Sequence, residues 1–318
     1  MKRAVVFLTC AAVLGIACKS GHETPSAPTT APTTAPSAAP ATAAAASPPA
    51  QAAPSDPLPR PLFWSIARDG KTTYLLGTMH VGIDAEARLP QLVWARFHAA
   101  TTFAMETDLD DDAAAAMIRS TDGSLHDALG DAYWKKLVDA MGPAMARAVD
   151  HMPPMVPAST LAMRGLPATE PMDKTLAARA AAEHKHLVYL EPATRQIALL
   201  GKWMDVKALK LILDELPEGE QHAHAMIAAY ADGDERTLLA LSDAERDDAL
   251  HHGYTAAEYD QEMSDMLYDR NTSWIAAIEQ LHATGGGFVA VGALHLLGPH
   301  SVLEQLAQKG YSVTRLTP

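Results

Sequence analysis

Hydrophobic runs of about four to eight residues recur along this chain between glycine-, proline- and asparagine- or aspartate-bearing turns. Such runs predict strands covered on both faces, as in a parallel sheet. Phe63–Ala67 and Thr72–Leu76 flank Arg68-Asp69-Gly70-Lys71, the pattern of a hairpin closed by an Asp-Gly turn. The second run continues as Tyr74-Leu75-Leu76-Gly77-Thr78-Met79-His80 and is echoed by Val289-Ala290-Val291-Gly292-Ala293-Leu294-His295. Both are an apolar run followed by Gly-x-x-His. A helix from about Pro90 to Ala99 leads to a strand over Thr101–Met105 that stops at Glu106. A further strand, Leu187–Leu190, stops at Glu191.

The rest of the pattern is helical. From Asp110 to about Arg164 the chain is rich in Met and Ala, broken at Gly142-Pro143 and at Pro153, Pro154 and Pro157; it reads as an inserted helical layer. Met172–Lys185 is a helix, and 194–281 is mainly helical. On the stretch Ala256–Leu281 an apolar stripe runs through Met263, Met266, Leu267, Trp274, Ile278 and Leu281, with Arg270 and Asn271 in it. Strand Phe288–Val291, helix Ser301–Gln308 capped by Gly310, and strand Tyr311–Leu316 close the chain. The expected class is α/β: a mixed, largely parallel sheet flanked by helices, with two strand–Gly-x-x-His–helix–strand units as an internal pseudo-repeat.

Composition divides the chain into three. Residues 1–18 carry Lys2 and Arg3 and then an apolar stretch too short to span a bilayer comfortably, the form of an export signal. Its end, Leu14-Gly15-Ile16-Ala17-Cys18, resembles a bacterial lipoprotein box with Cys18 as the lipidated residue, although Gly15 stands where leucine is usual; ordinary secretion is the alternative. Residues 19–60 are almost entirely Ala, Pro, Thr and Ser and read as a tether, because such a segment buries too little to offset its ordering entropy. Residues 61–318 form the folded domain. A net charge of −13 argues against nucleic acid as a partner.

Candidate chemistry gathers at the strand ends. In open α/β sheets ligands bind outside the carboxyl ends of the strands, and glycine there lets another chain approach closely. His80 and His295, delivered by the same device, are expected to converge on one site beside Glu106. The two cysteines, Cys10 and Cys18, both precede the domain, so any metal there must be held by His, Asp or Glu. Arg270 on an apolar face requires an anionic partner, with Glu106, Glu191 or a substrate as the choices. The pairs His222/His224, His251/His252 and His184/His186 have poor chelating spacing and read as structural.

With these residues in hand, the chain resembles the TraB/GumN family, related to the Tiki metalloproteases. The resemblance rests on Tyr74–Gly82, Met105-Glu106, Leu190-Glu191 with Gln196, Arg270-Asn271-x-x-Trp274, Gly292–His295 and Gly310–Arg315. It covers essentially residues 62–318. Pro192 departs from the threonine more usual after the glutamate, which puts the role of Glu191 in question. The resemblance implies a fold shared with haem-binding ChaN-like and erythromycin-esterase-like proteins, a divalent-metal site and peptide-bond hydrolysis. The expectation is a metal-dependent hydrolase with a peptide or protein substrate. His80, Glu106 and His295 would bind Zn²⁺, Mn²⁺ or Co²⁺, with Glu191 as base. Arg270 would serve an oxyanion or orient Glu106, and Asn271 would bond the substrate. The alternatives are a haem- or metal-binding lipoprotein without turnover and a structural lipoprotein. In each reading the domain would be exported and lipid-anchored to a bacterial membrane in the cell envelope.

Overall fold

Asp69 and Gly70, with φ of 51° and 72°, form the tight turn between strands β1 (Phe63–Arg68) and β2 (Lys71–Thr78). Positive φ at both turn positions matches the twist of the flanking strands, which is why Asp-Gly closes a two-residue hairpin. The computed structural model in which this is seen describes residues 56–318. The export signal, Cys18 and nearly all of the Ala/Pro tract lie outside the described residues. Packing begins before the expected boundary: Leu58 is buried and its N–H donates to the Arg88 carbonyl at 2.8 Å.

Strands β3 (Thr102–Met105), β4 (His186–Tyr189), β5 (Phe288–Gly292) and β6 (Ser312–Arg315) complete a six-stranded sheet in the order β4-β3-β5-β2-β1-β6. Pairings β4–β3, β3–β5 and β5–β2 are parallel, and β1 is antiparallel to both β2 and β6. The sheet is thus mixed and mostly parallel, flanked by many helices, as an α/β protein.

β2 and β3, joined through helix Gln91–Ala99, run parallel, and β5 lies between them. The crossover skips one position, and the C-terminal strand fills the slot. Likewise the path from β5 to β6 skips over β2 and β1. Chain adjacency is a local property; which strand fills a gap depends on all the others.

Helix Gln91–Ala99 seats on the sheet through Phe97, whose ring centroid lies 5.5 Å from Phe103 and 5.2 Å from Phe288. The expected Met/Ala-rich layer is a set of short helices between Asp112 and Ala162. The stretch 256–283 is not one regular helix. A π-helical turn at Ser264–Tyr268 joins Ala256–Met263 to Asp269–Ala283. The wider turn shifts the register by inserting a residue, and Arg270 and Asn271 are both buried just beyond it. Among the described residues no helix is long and apolar enough to cross a membrane.

Candidate functional site

Because β4, β3, β5 and β2 are adjacent and parallel, their carboxyl ends lie along one edge of the sheet. Glu191, Glu106, His295 and His80 follow those ends in that order. All four side chains are buried. The four strand ends share one edge, in a neighbour order that only the fold reveals.

Arg270 is the hub. Its Nη2 donates to Glu106 Oε2 at 2.7 Å and meets Glu191 Oε1 at 2.6 Å, and its Nε donates to the same Glu191 oxygen at 2.7 Å. Nη1 donates to the Met266 carbonyl at 3.0 Å and points at His295 Nε2, 3.3 Å away. All five guanidinium hydrogens therefore have acceptors. Of the two roles expected for Arg270, orienting Glu106 fits this geometry, whereas serving an oxyanion would require giving up a bond already made.

Glu106 is held from three sides. Oε1 accepts from the Gly292 N–H at 2.7 Å, and Oε2 accepts from Arg270 and from Gln196 Nε2 at 2.9 Å. Burial alone would raise its pKa, but Arg270, then His295 and His80, outweigh that and hold the carboxyl below its ordinary value. Glu191 goes the other way. Burial pushes its pKa up and the neighbouring Arg270 only partly offsets this. Its Oε2, also buried, lies 3.3 Å from Nη1 of the partly exposed Arg195.

Each histidine is gripped at Nδ1. His80 Nδ1 bonds Asp173, whose other oxygen accepts from Thr78 Oγ1 at 2.9 Å. His295 Nδ1 lies 2.6 Å from Asn271 Oδ1. Since Asn271 Nδ2 donates to the His300 carbonyl at 3.0 Å, its oxygen faces the ring and Nδ1 must carry the hydrogen. The Nε2 lone pair of His295 then accepts from Arg270 Nη1 at 3.3 Å, and Nε2 lies 3.8 Å from Glu106 Oε1. Burial pushes the His295 imidazole down to about 3, so the ring is neutral. Asn271, expected at the substrate, is instead committed on both atoms to holding His295 and the 300 turn.

Asp173 is the residue that sequence reasoning missed. It sits in the first turn of helix Met172–Ala182, where an acid is ordinary for dipole reasons alone. No sequence signal separates that use from a grip on His80. A small cavity of about 10 Å³, the room of one water-sized body, is lined by His80, Glu106, Thr107, Asp173 and Gln196 among others. Arg270 and His295, though in reach of Glu106, are not among the residues that line it.

Two imidazoles and a carboxylate without a thiolate are a donor set suited to a borderline or hard divalent ion. Glu106 Oε1 accepts only the Gly292 N–H among the hydrogen bonds above, and carboxylate oxygens have about two acceptor sites each. His80, Glu106 and His295 are connected but not gathered as tightly as ligands around an ion. Among the described residues, the set of three whose donor atoms all lie within 4.8 Å of one another is Glu215, Asp248 and His252, in the helical cap. There His252 Nε2 is 2.7 Å from Glu215 Oε1 and Nδ1 is 3.8 Å from Asp248 Oδ1. His252 was expected to be structural from its spacing to His251. Asp248 lies four residues back along the same helix, whereas Glu215 comes from outside it, and that third member is what spacing within a helix cannot report.

No curated protein and no solved structure matches this chain. The sequence model of the TraB/PrgY/gumN family matches residues 62–315, which takes in all six strands and every residue of the strand-end site. The chain belongs to the TraB/PrgY/gumN family.

Proposed function

We propose that this protein is a metal-dependent hydrolase acting on peptide bonds, with its site at the shared carboxyl edge of β4, β3, β5 and β2. The observation that carries the reading is the matched grip on the two histidines. Each ring is fixed through Nδ1 by an oxygen acceptor, Asp173 for His80 and Asn271 for His295, and both stand beside Glu106. Metal-ligating histidines are characteristically held this way, which fixes the ring and makes Nε2 the bonding atom.

His80, Glu106 and His295 would hold the ion, with Zn²⁺, Mn²⁺ or Co²⁺ suiting the donors. Such an ion supplies a Lewis acid and a water acidified to near neutrality. Glu106, kept ionised by Arg270, is the ligand carboxylate, and Arg270 positions it. Glu191, whose pKa is raised by burial, is the carboxylate suited to take and return a proton, at Oε2, the oxygen that Arg270 does not engage. The opposite shifts of two glutamates around one arginine divide the roles. A haem would need a slot of about several hundred Å³ at the histidines, against the 10 Å³ cavity that His80 lines. Residues 1–18 would export the chain and Cys18 would anchor it by lipid to the cell envelope, with the Ala/Pro tract as tether.

The test uses the full chain with a peptide pool read by mass spectrometry, beside elemental analysis of wild type, His80→Ala and His252→Ala. Hydrolysis should vanish on chelation and in His80→Ala, and the bound ion should be lost in His80→Ala and kept in His252→Ala. Cleavage that survives chelation would remove the mechanism. An ion lost only from His252→Ala would move the metal to the helical cap.

A further inference from the structure

A second, larger groove lies beside the small cavity at His80. Its volume is about 260 Å³, and it shares Met105 and Leu109 with the cavity wall. The floor is apolar, from Met105, Leu187 and Tyr189 on the sheet and Ala178 and Ala181 on helix Met172–Ala182. Tyr189 is 40% exposed, one of the few large apolar side chains of the described residues that are open to solvent.

Two further features say what this groove takes. β4 is the edge strand, and among the described residues no strand pairs with its outer side. The His186 and Leu190 N–H groups donate to β3-side carbonyls, Thr101 and Met105. The alternation of a parallel ladder therefore turns the backbone groups of Leu187 and Tyr189 outward. An open strand edge recognises extended backbone, the mode by which peptides add to sheets. The mouth of the groove is acidic. Asp108 and Asp110 stand there, while the lysine on the opposite wall, Lys174, is already paired with Glu170 at 2.6 Å.

The geometry points to the groove between β4, helix Met172–Ala182 and the 108–110 turn as the substrate cleft, receiving an extended peptide with an apolar side chain on the Met105–Leu187 floor and a neighbouring Lys or Arg against Asp108 and Asp110. This rests on the peptide-hydrolase reading above. It adds that the substrate class is cationic and apolar in alternation, and that the peptide lies along β4 toward the cavity lined by His80 and Glu106.

The test is fluorescence anisotropy on the full chain, treated with chelator so that no probe is consumed. The probes are fluorescein-labelled decapeptides of one Ser/Thr frame bearing Leu-Lys, Leu-Glu or Ser-Ser at the centre. Leu-Lys should bind, and Leu-Glu and Ser-Ser should bind about tenfold more weakly or worse. Ala178→Trp, at an exposed helical position, should fill the groove and weaken Leu-Lys binding by about tenfold or more. Asp108→Asn with Asp110→Asn, which keeps the side-chain shape and removes the charge, should narrow the gap between Leu-Lys and Leu-Glu. Equal binding of Leu-Lys and Leu-Glu, unchanged binding in Ala178→Trp, or no binding of Leu-Lys would overturn the proposal. Binding as expected, with no cleavage by the untreated chain, would keep the groove and remove the hydrolase. Cleavage with the same KM in wild type and Ala178→Trp would keep the hydrolase and remove the groove.

Discussion

Gly77 packs directly on Ala293: a Cβ built on Gly77 would lie 3.1 Å from the Ala293 Cα and 3.3 Å from Leu62 Cβ. The two Gly-x-x-His turns therefore touch, one from β2 and one from β5, with Gly77 in register with Val291. That contact sets how close His80 and His295 come. The obstructing atom is backbone, so it cannot swing aside as a side chain would. Gly77→Ala should cost about 1–3 kcal/mol of stability. Urea unfolding of the variant checks this; a midpoint equal to wild type would show that the strand ends are free to part.

Arg270 neutralises two buried carboxylates at once. Arg270→Met would leave Glu106 and Glu191 without a counter-charge in a buried site, at a cost of about 3–5 kcal/mol. Arg270→Lys keeps the charge but loses the fork that reaches Glu106, Glu191 and His295 together, and should fall between the two. Chemical denaturation of the three proteins gives the order, and Arg270→Met as stable as wild type would contradict it.

The grip of Asn271 on His295 can be removed without touching the ring. Asn271→Leu leaves the His295 Nδ1–H buried without its acceptor and should cost about 1–3 kcal/mol. If His295 is a ligand, the same change should lower affinity for added Zn²⁺ or Mn²⁺ by about 10–100-fold. Calorimetric titration of the full chain reads the second effect separately from the first. Lost stability with undiminished metal affinity would take His295 out of the ligand set.

Acid should weaken the metal-free protein in a defined window. His295 stays neutral in the fold down to about 3, against 6.5 for an ordinary imidazole. Between those values the unfolded chain binds a proton that the native one does not, so stability falls as pH falls, by about 1.4 kcal/mol per pH unit from this residue. Glu106 and Asp173, with depressed values, act in the same sense: their contributions are present above the ordinary values of 4.5 and 3.8 and are lost as pH falls through their folded values. Glu191 has the opposite sign: its contribution is present in acid and is lost as pH rises through its raised value. Urea midpoints between pH 6.5 and pH 4.5 in chelator should show a shallower slope in His295→Gln than in wild type. Identical slopes would mean that the ring is protonated in the fold.

The sequence by itself determined the strands, the Asp-Gly hairpin and the four residues at the strand ends. These follow from short-range causes: apolar runs that must be covered, a turn that needs positive φ, and the rule that chemistry collects at the carboxyl edge of parallel strands. The arginine on the apolar stripe of 256–281 likewise announced a buried anionic partner, because a lone buried charge is too costly to keep. Its choice between two glutamates was not legible, since the answer is both.

Only the tertiary structure decided which groups hold which. Inserting β5 between β2 and β3 brings Gly292 N–H onto Glu106 and sets the two Gly-x-x-His turns in contact. Asp173 looks like any acid in a helix first turn until the fold lays that turn against His80. The π-helical turn at Ser264–Tyr268 adjusts the face of the following helix by a register that no heptad or stripe can show. In each case the partner lies far away along the chain, and distance in space between such residues is set by the packing of every layer at once.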